Sequence, residues 1–87
     1  SVGQIIEAFV GSIESKNPAL NAIVDFEPKR AREEAAQVQR RVDSGDRLPL
    51  AGVPVVIKDV IWVEGRRITQ GSQLFKDFIA PRNAVAV

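Results

Sequence analysis

The sequence predicts an α/β fold in which helices and strands alternate along the chain. Two segments, residues 2–13 and 31–42, have apolar side chains at helical spacing. A short alternating segment, 20–26, and a dense apolar run rich in β-branched residues, 50–57, have the character of strands. The predicted order is α-β-α-β-β-α, which indicates a layered α/β architecture.

The first predicted helix begins at Val2 and carries one apolar face. Pro18 restricts Asn17 and cannot continue a helix, so the helix is expected to end at Lys16-Asn17-Pro18. In residues 20–26 apolar side chains alternate with polar ones, which predicts a short strand. The apolar face of the helix consists of Val2, Ile5, Ile6, Phe9, Val10 and Ile13.

The second predicted helix covers residues 28–43. Pro28 suits the first turn of a helix, and Ser44-Gly45 is typical of a helix end. Oppositely charged residues one turn apart, at 29 and 33 and at 30 and 34, support the helical state. Its narrow apolar stripe consists of Ala31, Ala35, Val38 and Val42.

The apolar run at residues 50–57 predicts a strand buried on both faces, because β-branched residues dominate it. Pro54 has no N–H to donate, so that end of the strand is expected at a sheet edge or a bulge. Glu64-Gly65 is predicted to turn the chain. Three shorter elements are also expected: an extended piece at 60–63, another at 68–72, and one or two helical turns within 74–79.

The composition excludes several kinds of site. The 87 residues contain no cysteine and no histidine, so they cannot supply a thiol nucleophile, a cysteine- or histidine-based metal site or a Ser–His–Asp triad. A net charge of +1 with interspersed signs argues against nucleic acid as the main partner. The longest apolar run, 53–57, is far shorter than the roughly 20 residues that a membrane span needs. We expect a cytosolic protein.

The sequence is expected to be one part of a larger domain. It contains no methionine, and its last four residues are apolar with no polar tail or helix stop. A domain rarely stops within an apolar segment. Removal of an initiator methionine is the alternative explanation.

Lys58 is the one side chain whose place in the sequence suggests chemistry. It follows the apolar run 53–57 at the carboxyl end of the predicted strand, where ligands gather in α/β folds. Burial there would disfavour its ammonium form, and a neutral lysine can act as a general base. The alternative is that Lys58 marks the point where the strand reaches water, with its ammonium paired to Asp59. The residues by themselves leave both interpretations open.

Segment 50–59, with the sequence LAGVPVVIKD, resembles the catalytic-lysine segment of the amidase signature family. Three further segments resemble that family in the same order: LNAIV at 20–24, GRRITQGS at 65–72 and PRNAVAV at 81–87. Asn83 departs from the aspartate that is common in the family. We interpret this departure as a local structural difference, such as a lost salt bridge, and not as lost catalysis.

The resemblance implies that residues 1–87 are the N-terminal fragment of a single amidase-signature domain, whose core is a mixed β-sheet covered by helices. It implies that Lys58 is the catalytic lysine of a triad with a nucleophilic serine and a bridging serine that has a cis peptide bond. In the family both serines lie in a Gly/Ser-rich stretch, which these 87 residues lack. No cofactor or metal is implied. The structural motif around Lys58 consists of Gly52, Pro54, Asp59, Thr69, Gly71 and Ser72.

The implied activity is hydrolysis of a linear carboxamide to a carboxylic acid and ammonia or an amine, with residues 1–87 inactive alone. One alternative is a protein similar to the amidase-family component of a glutamine-dependent tRNA amidotransferase. Others are a catalytically inactive scaffold of amidase fold and a freestanding binding module. The implied partners are a small-molecule amide substrate, the remainder of the same domain and, as a possibility, a second copy in a homodimer; no nucleic acid and no membrane segment are indicated.

Overall fold

The regular secondary structure of the chain is helical. The computed structural model describes residues 1–87 and contains helix α1 (Val2–Leu20), helix α2 (Pro28–Asp43) and one 3₁₀ turn (Gln73–Phe75). The chain divides into two compact units, Ser1–Pro54 and Val55–Val87. Neither helix is long and apolar enough to cross a membrane.

The first unit is a pair of packed helices, α1 and α2. Its buried apolar side chains are few, because only Val2 and Val10 of α1 and Ala35 of α2 are almost fully covered. A side chain also joins the helices by a hydrogen bond, since Gln39 Oε1 accepts from the Val2 N–H at 3.0 Å. With so little apolar surface covered, the helix pair gains modest stability from burial.

Helix α1 continues past the predicted end, so the expected stop at Lys16-Asn17-Pro18 is wrong. Pro18 lies inside the last turn, and the helix ends at Asn21, which adopts the left-handed conformation with φ 50°. The Asn21 N–H bonds the Asn17 carbonyl at 2.6 Å. A proline this near the carboxyl end removes one intrahelical hydrogen bond at a place where the helix is already ending.

The strand predicted at residues 20–26 is also wrong. The Asn17 side chain explains the difference, because its Oδ1 accepts from the N–H groups of Ala22 (3.0 Å) and Ile23 (2.9 Å). Its Nδ2 donates to the Ile23 carbonyl at 2.8 Å. These local bonds use backbone groups that a strand would present to a neighbour.

Helix α2 confirms the second predicted helix. Pro28 lies in its first turn, and Ser44 caps its carboxyl end. Gly45 follows in the left-handed region, with φ 97°, and its N–H bonds the Val42 carbonyl at 3.1 Å. Glycine is favoured there because a side chain would clash with the backbone in that conformation.

The prediction of an α/β fold with a mixed β-sheet core is wrong for this structure. Its only β pairing is one isolated antiparallel bridge between Arg67 and Ile79. The run predicted as a buried strand has no regular structure, and Val55 and Val56 are 83% and 71% exposed. A β-branched run favours an extended backbone, but a strand needs a partner to bond its N–H and C=O groups. Residues 1–87 provide none for this run.

The second unit folds around the bridge between Arg67 and Ile79. Two further hydrogen bonds flank it, from the Ile68 N–H to the Phe78 carbonyl and from the Ala80 N–H to the Arg66 carbonyl, both at 3.0 Å. Ile68 and Ala80 are buried. The extended pieces expected at 60–63 and 68–72 are not strands.

Of two shorter predictions within this unit, the turn at Glu64-Gly65 is confirmed and the helical turns are confirmed in part. Gly65 has φ 78° in the turn where the Arg66 N–H bonds the Val63 carbonyl at 2.9 Å, as the Glu64-Gly65 pair predicts. The helical turn expected within 74–79 is present only at its start, as the 3₁₀ turn Gln73–Phe75, whereas Ile79 lies in the β-bridge.

Candidate catalytic lysine and its supporting turns

Lys58 is exposed and lies in a segment without regular structure. Its carbonyl accepts from the Ile61 N–H at 3.0 Å, which closes a turn directly after it. The expected position at the end of a buried strand is therefore wrong. The ion pair with Asp59 that the alternative interpretation requires is absent too, since no ion pair of the structure includes Lys58.

The carboxylate of Asp59 is bound by Thr69 instead. One oxygen accepts from the Thr69 N–H at 2.8 Å, and the other accepts from the Thr69 hydroxyl. The Thr69 Oγ1 also accepts from the Gly71 N–H at 3.2 Å, and the Asp59 carbonyl accepts from the Gln70 N–H at 3.2 Å. We call this set of four hydrogen bonds among Asp59, Thr69, Gln70 and Gly71 the Asp59–Thr69 network.

The loop that supplies these donors is a tight turn. Gln70 and Gly71 both have positive φ, 53° and 71°, and the Ser72 N–H bonds the Thr69 carbonyl at 2.9 Å. Two successive residues of positive φ correspond to a type I′ turn. Ser72 then starts the 3₁₀ turn, because its hydroxyl accepts from the Leu74 N–H at 3.2 Å.

The network stabilises the ionised form of Asp59. The hydrogen bond from the Thr69 hydroxyl lowers the pKa of the Asp59 carboxyl, and the Thr69 N–H and the more distant N–H groups of Gly71 and Gln70 lower it further. The half-buried position opposes this shift but does not reverse it. Asp59 is therefore a carboxylate at neutral pH, held by donors of one loop.

Gly52 and Pro54 of the predicted motif belong to the first unit. Gly52 has φ 88° in a turn closed by a hydrogen bond from the Val53 N–H to the Leu50 carbonyl at 3.0 Å. A methyl group added there would lie 3.2 Å from Ile5 Cδ1 on α1. The positive φ therefore favours glycine at this position, and a methyl group would also require the end of the Ile5 side chain to shift slightly.

Of the predicted motif, the structure brings Asp59, Thr69 and Gly71 into one network, with Ser72 at its border. From the sequence, these residues are known only as members of one motif. Their hydrogen bonding depends on the turn at 69–72, and the one local sign of that turn is a polar residue at 69 followed by glycine at 71.

Asn83 and Trp62 have structural contacts in the second unit. Asn83 Oδ1 accepts from the Glu64 N–H at 2.8 Å and so holds the turn at Gly65. Trp62 stacks at a tilt on Phe78, with ring centroids 5.5 Å apart, and the Arg82 guanidinium lies 5.9 Å from the Trp62 ring. The polar contact of Asn83 is one that an aspartate carboxylate could also make.

The remaining surface offers no further candidate. A groove of about 390 Å³ lies between α1 and α2, but its polar lining residues Glu7, Arg32 and Gln39 already bond within the helix pair. No group of three or more acidic side chains could hold a metal ion.

Comparison with known proteins gives a family match over nearly the whole chain. The family model described as Amidase matches residues 4–87. The chain is 44% identical over 84 residues to the A component of the glutamyl-tRNA(Gln) amidotransferase of Koribacter versatilis, covering 95% of this chain and 18% of that protein. It is 40% identical over 88 residues to the acylamidase of Rhodococcus erythropolis, covering 100% of this chain and 18% of that protein.

A third relative, the A component of the glutamyl-tRNA(Gln) amidotransferase of Deinococcus radiodurans, is 48% identical over 67 residues, covering 77% of this chain and 14% of that protein. The chain thus spans less than a fifth of the length of these curated relatives. No solved structure matches the chain significantly.

Proposed function

The chain belongs to the amidase family, and from this premise we propose that it is the lysine-bearing part of an enzyme that hydrolyses carboxamide C–N bonds. The observation that carries the proposal is the family match over residues 4–87, which includes the segment 50–59 with Lys58. Similarity to a protein named acylamidase supports hydrolysis as the reaction.

We assign Lys58 the role of general base. In the proposed reaction its neutral amine accepts the proton of a bridging serine, which in turn accepts the proton of a nucleophilic serine. The nucleophile attacks the amide carbonyl, the proton held by Lys58 returns through the bridging serine to the leaving nitrogen, and the amine or ammonia departs. Water then releases the carboxylic acid from the acyl-enzyme. Within residues 1–87 the Lys58 side chain is exposed and takes part in no ion pair; in the proposal the remainder of the domain covers it and so favours its neutral form.

Residues 1–87 are, in this proposal, the N-terminal part of a single amidase domain. The two serines and the oxyanion-stabilising donors come from the remaining sequence, so residues 1–87 alone are inactive. The remainder of the domain covers the exposed apolar side chains at 55–57, which water would otherwise solvate unfavourably. The cytosolic location and the homodimer stay predictions.

A second candidate function is favoured by the names of relatives. Several similar proteins are named as a component of a glutamyl-tRNA(Gln) amidotransferase. In that case Lys58 would act as the general base in the release of ammonia from glutamine. The ammonia would then be passed to a tRNA-linked substrate with the help of partner proteins.

The two functions and the inactive scaffold are separated by assays on the full-length protein. We expect the purified protein to release amine from a simple aryl carboxamide, and Lys58→Ala to abolish that release. Activity on glutamine only, and only with tRNA and a partner protein, would favour the amidotransferase. A protein inactive in both assays would be a scaffold. Undiminished turnover by Lys58→Ala would contradict the role of the lysine in either enzyme.

A further inference from the structure

The Asp59–Thr69 network fixes the backbone directly beside Lys58. Thr69 donates to the side-chain carboxylate of Asp59, and the Gln70 N–H donates to the Asp59 backbone carbonyl. The side chain and the backbone of Asp59 are thus both bonded to the same loop. Asp59 also lies within a turn, which the Ile61 N–H closes by bonding the Lys58 carbonyl at 3.0 Å. The hydrogen-bonded part of the backbone therefore begins at the Lys58 carbonyl.

The loop adopts an unfavourable conformation to form this network. Gln70 is not glycine, yet it has φ 53°, and its side chain is exposed and so gains nothing by packing. Left-handed conformations of such residues persist where the surroundings enforce them, and they concentrate at functional sites. The N–H of Gln70 donates to the Asp59 carbonyl at 3.2 Å, so the turn that contains the positive φ is the one bonded to Asp59.

We infer that the Asp59–Thr69 network is a positioning device for Lys58, with Asp59 and Thr69 acting through the backbone and not on substrate. This inference rests on the proposed function of Lys58. The backbone fixes the position of the Lys58 Cα and the direction of its Cα–Cβ bond, and so sets the point from which the exposed side chain extends. A general base must lie within hydrogen-bond reach of its proton donor, and small misplacements are costly to the rate.

The network has a second effect on the lysine, through charge. Asp59 is the acidic side chain next to Lys58 in the chain, and an ion pair between them would favour the ammonium, which has no lone pair to accept a proton. Each carboxylate oxygen takes one hydrogen bond from Thr69, so the carboxylate is oriented toward the loop. No ion pair joins Asp59 to Lys58 in this structure.

The test compares four variants of the full-length enzyme by kcat and KM on a simple aryl carboxamide. Thr69→Val removes the hydroxyl donor at nearly constant volume, and Asp59→Asn removes the carboxylate. Thr69→Ser restores the hydroxyl and is the rescue variant. Asp77→Asn is the matched control, because Asp77 is an exposed carboxylate of the same unit without a hydrogen-bond or ion-pair partner. Thermal melts accompany each measurement.

We expect Thr69→Val and Asp59→Asn to lower kcat about tenfold or more with KM nearly unchanged, since positioning affects the chemical step. Thr69→Ser should have a kcat within about threefold of the wild-type value. The kcat of the control, Asp77→Asn, should also lie within about threefold of wild type. Wild-type kcat in folded Thr69→Val overturns the inference, and so does loss of folding in both Thr69→Val and Asp59→Asn, which would make the network a folding element only. These outcomes are separate from failure of the proposed function, which shows as turnover that survives Lys58→Ala.

Discussion

The guanidinium of Arg32 on α2 lies 2.5 Å from the carboxylate of Glu7 on α1, and this ion pair joins the two helices of the first unit. Both side chains are about half exposed, so water and salt screen the pair. The hydrogen bond from Arg32 lowers the pKa of Glu7, and the positive charge of Arg32 lowers it further. The shift has a consequence for stability at acidic pH.

We predict that the Glu7–Arg32 pair contributes stability at neutral pH that is lost in acid. The folded-state pKa of Glu7 is below its unfolded value, so the contribution is complete above the unfolded pKa and disappears as the pH falls through the folded pKa. Melting temperatures of wild type and Glu7→Gln should differ slightly at neutral pH and converge in acid. Glu33→Gln, an exposed change on α2, is the control. A difference that grows in acid would contradict the prediction.

Gly52 is predicted to resist substitution more than other glycines of the chain. Gly52→Ala should lower the free energy of unfolding by about 1–2 kcal/mol, because φ 88° is unfavourable for alanine and its methyl would meet Ile5 at 3.2 Å. Denaturant unfolding measures the change.

Gly3→Ala is the matched control for Gly52→Ala. Gly3 lies in α1 with no atom within 4 Å of an added methyl, so alanine there should be neutral or stabilising by about 0.5–1 kcal/mol. If both substitutions behave alike, neither the positive φ of Gly52 nor its close approach to Ile5 matters to stability.

Asparagine at position 83, where aspartate is common in the family, is predicted to affect neither stability nor activity. Its Oδ1 accepts from the Glu64 N–H at 2.8 Å, and an aspartate oxygen could accept the same bond. Asn83→Asp should therefore leave stability and activity near wild type. Asn83→Leu should cost about 1 kcal/mol, because the N–H of Glu64 loses its acceptor. Calorimetric melts distinguish the two, and a large loss with Asn83→Asp would show that the amide group itself is needed.

The parts of the fold that sequence predicts well are those determined by neighbouring residues. Helix α2 has the bounds expected from Pro28 at its start and Ser44-Gly45 at its end, since capping and φ preferences act within one turn. The turn at Glu64-Gly65 is predictable for the same reason. Helix α1 ends later than predicted because Pro18 is tolerated in its last turn. The strand expected after it is replaced by bonds from the Asn17 side chain to the backbone, a contact that the pattern of apolar residues does not encode.

The parts that sequence predicts poorly depend on distant residues. The run at 50–57 has the composition of a buried strand, but its burial and its hydrogen bonds require partners, and the structure provides neither. Lys58 is exposed within residues 1–87, and its burial in the complete protein, which would require partners for that run, stays a prediction. The pairing of Asp59 with Thr69 joins residues ten positions apart through a turn of positive φ. Family resemblance identifies these residues as a motif, but only the structure shows that they bond one another.

Lys58 provides the most direct prediction about catalysis. Lys58→Ala in the full-length enzyme should lower the acylation rate by several orders of magnitude while the melting temperature changes little, because proton transfer and nucleophile activation act as one unit and the exposed side chain makes no packing contribution of note. Lys58→Arg should be nearly as damaging, since a guanidinium stays protonated and cannot accept a proton. Single-turnover acylation and thermal melts of both variants are the measurements. Near-wild-type acylation by Lys58→Arg would mean that the position requires only a positive charge, and the general-base role would then be wrong.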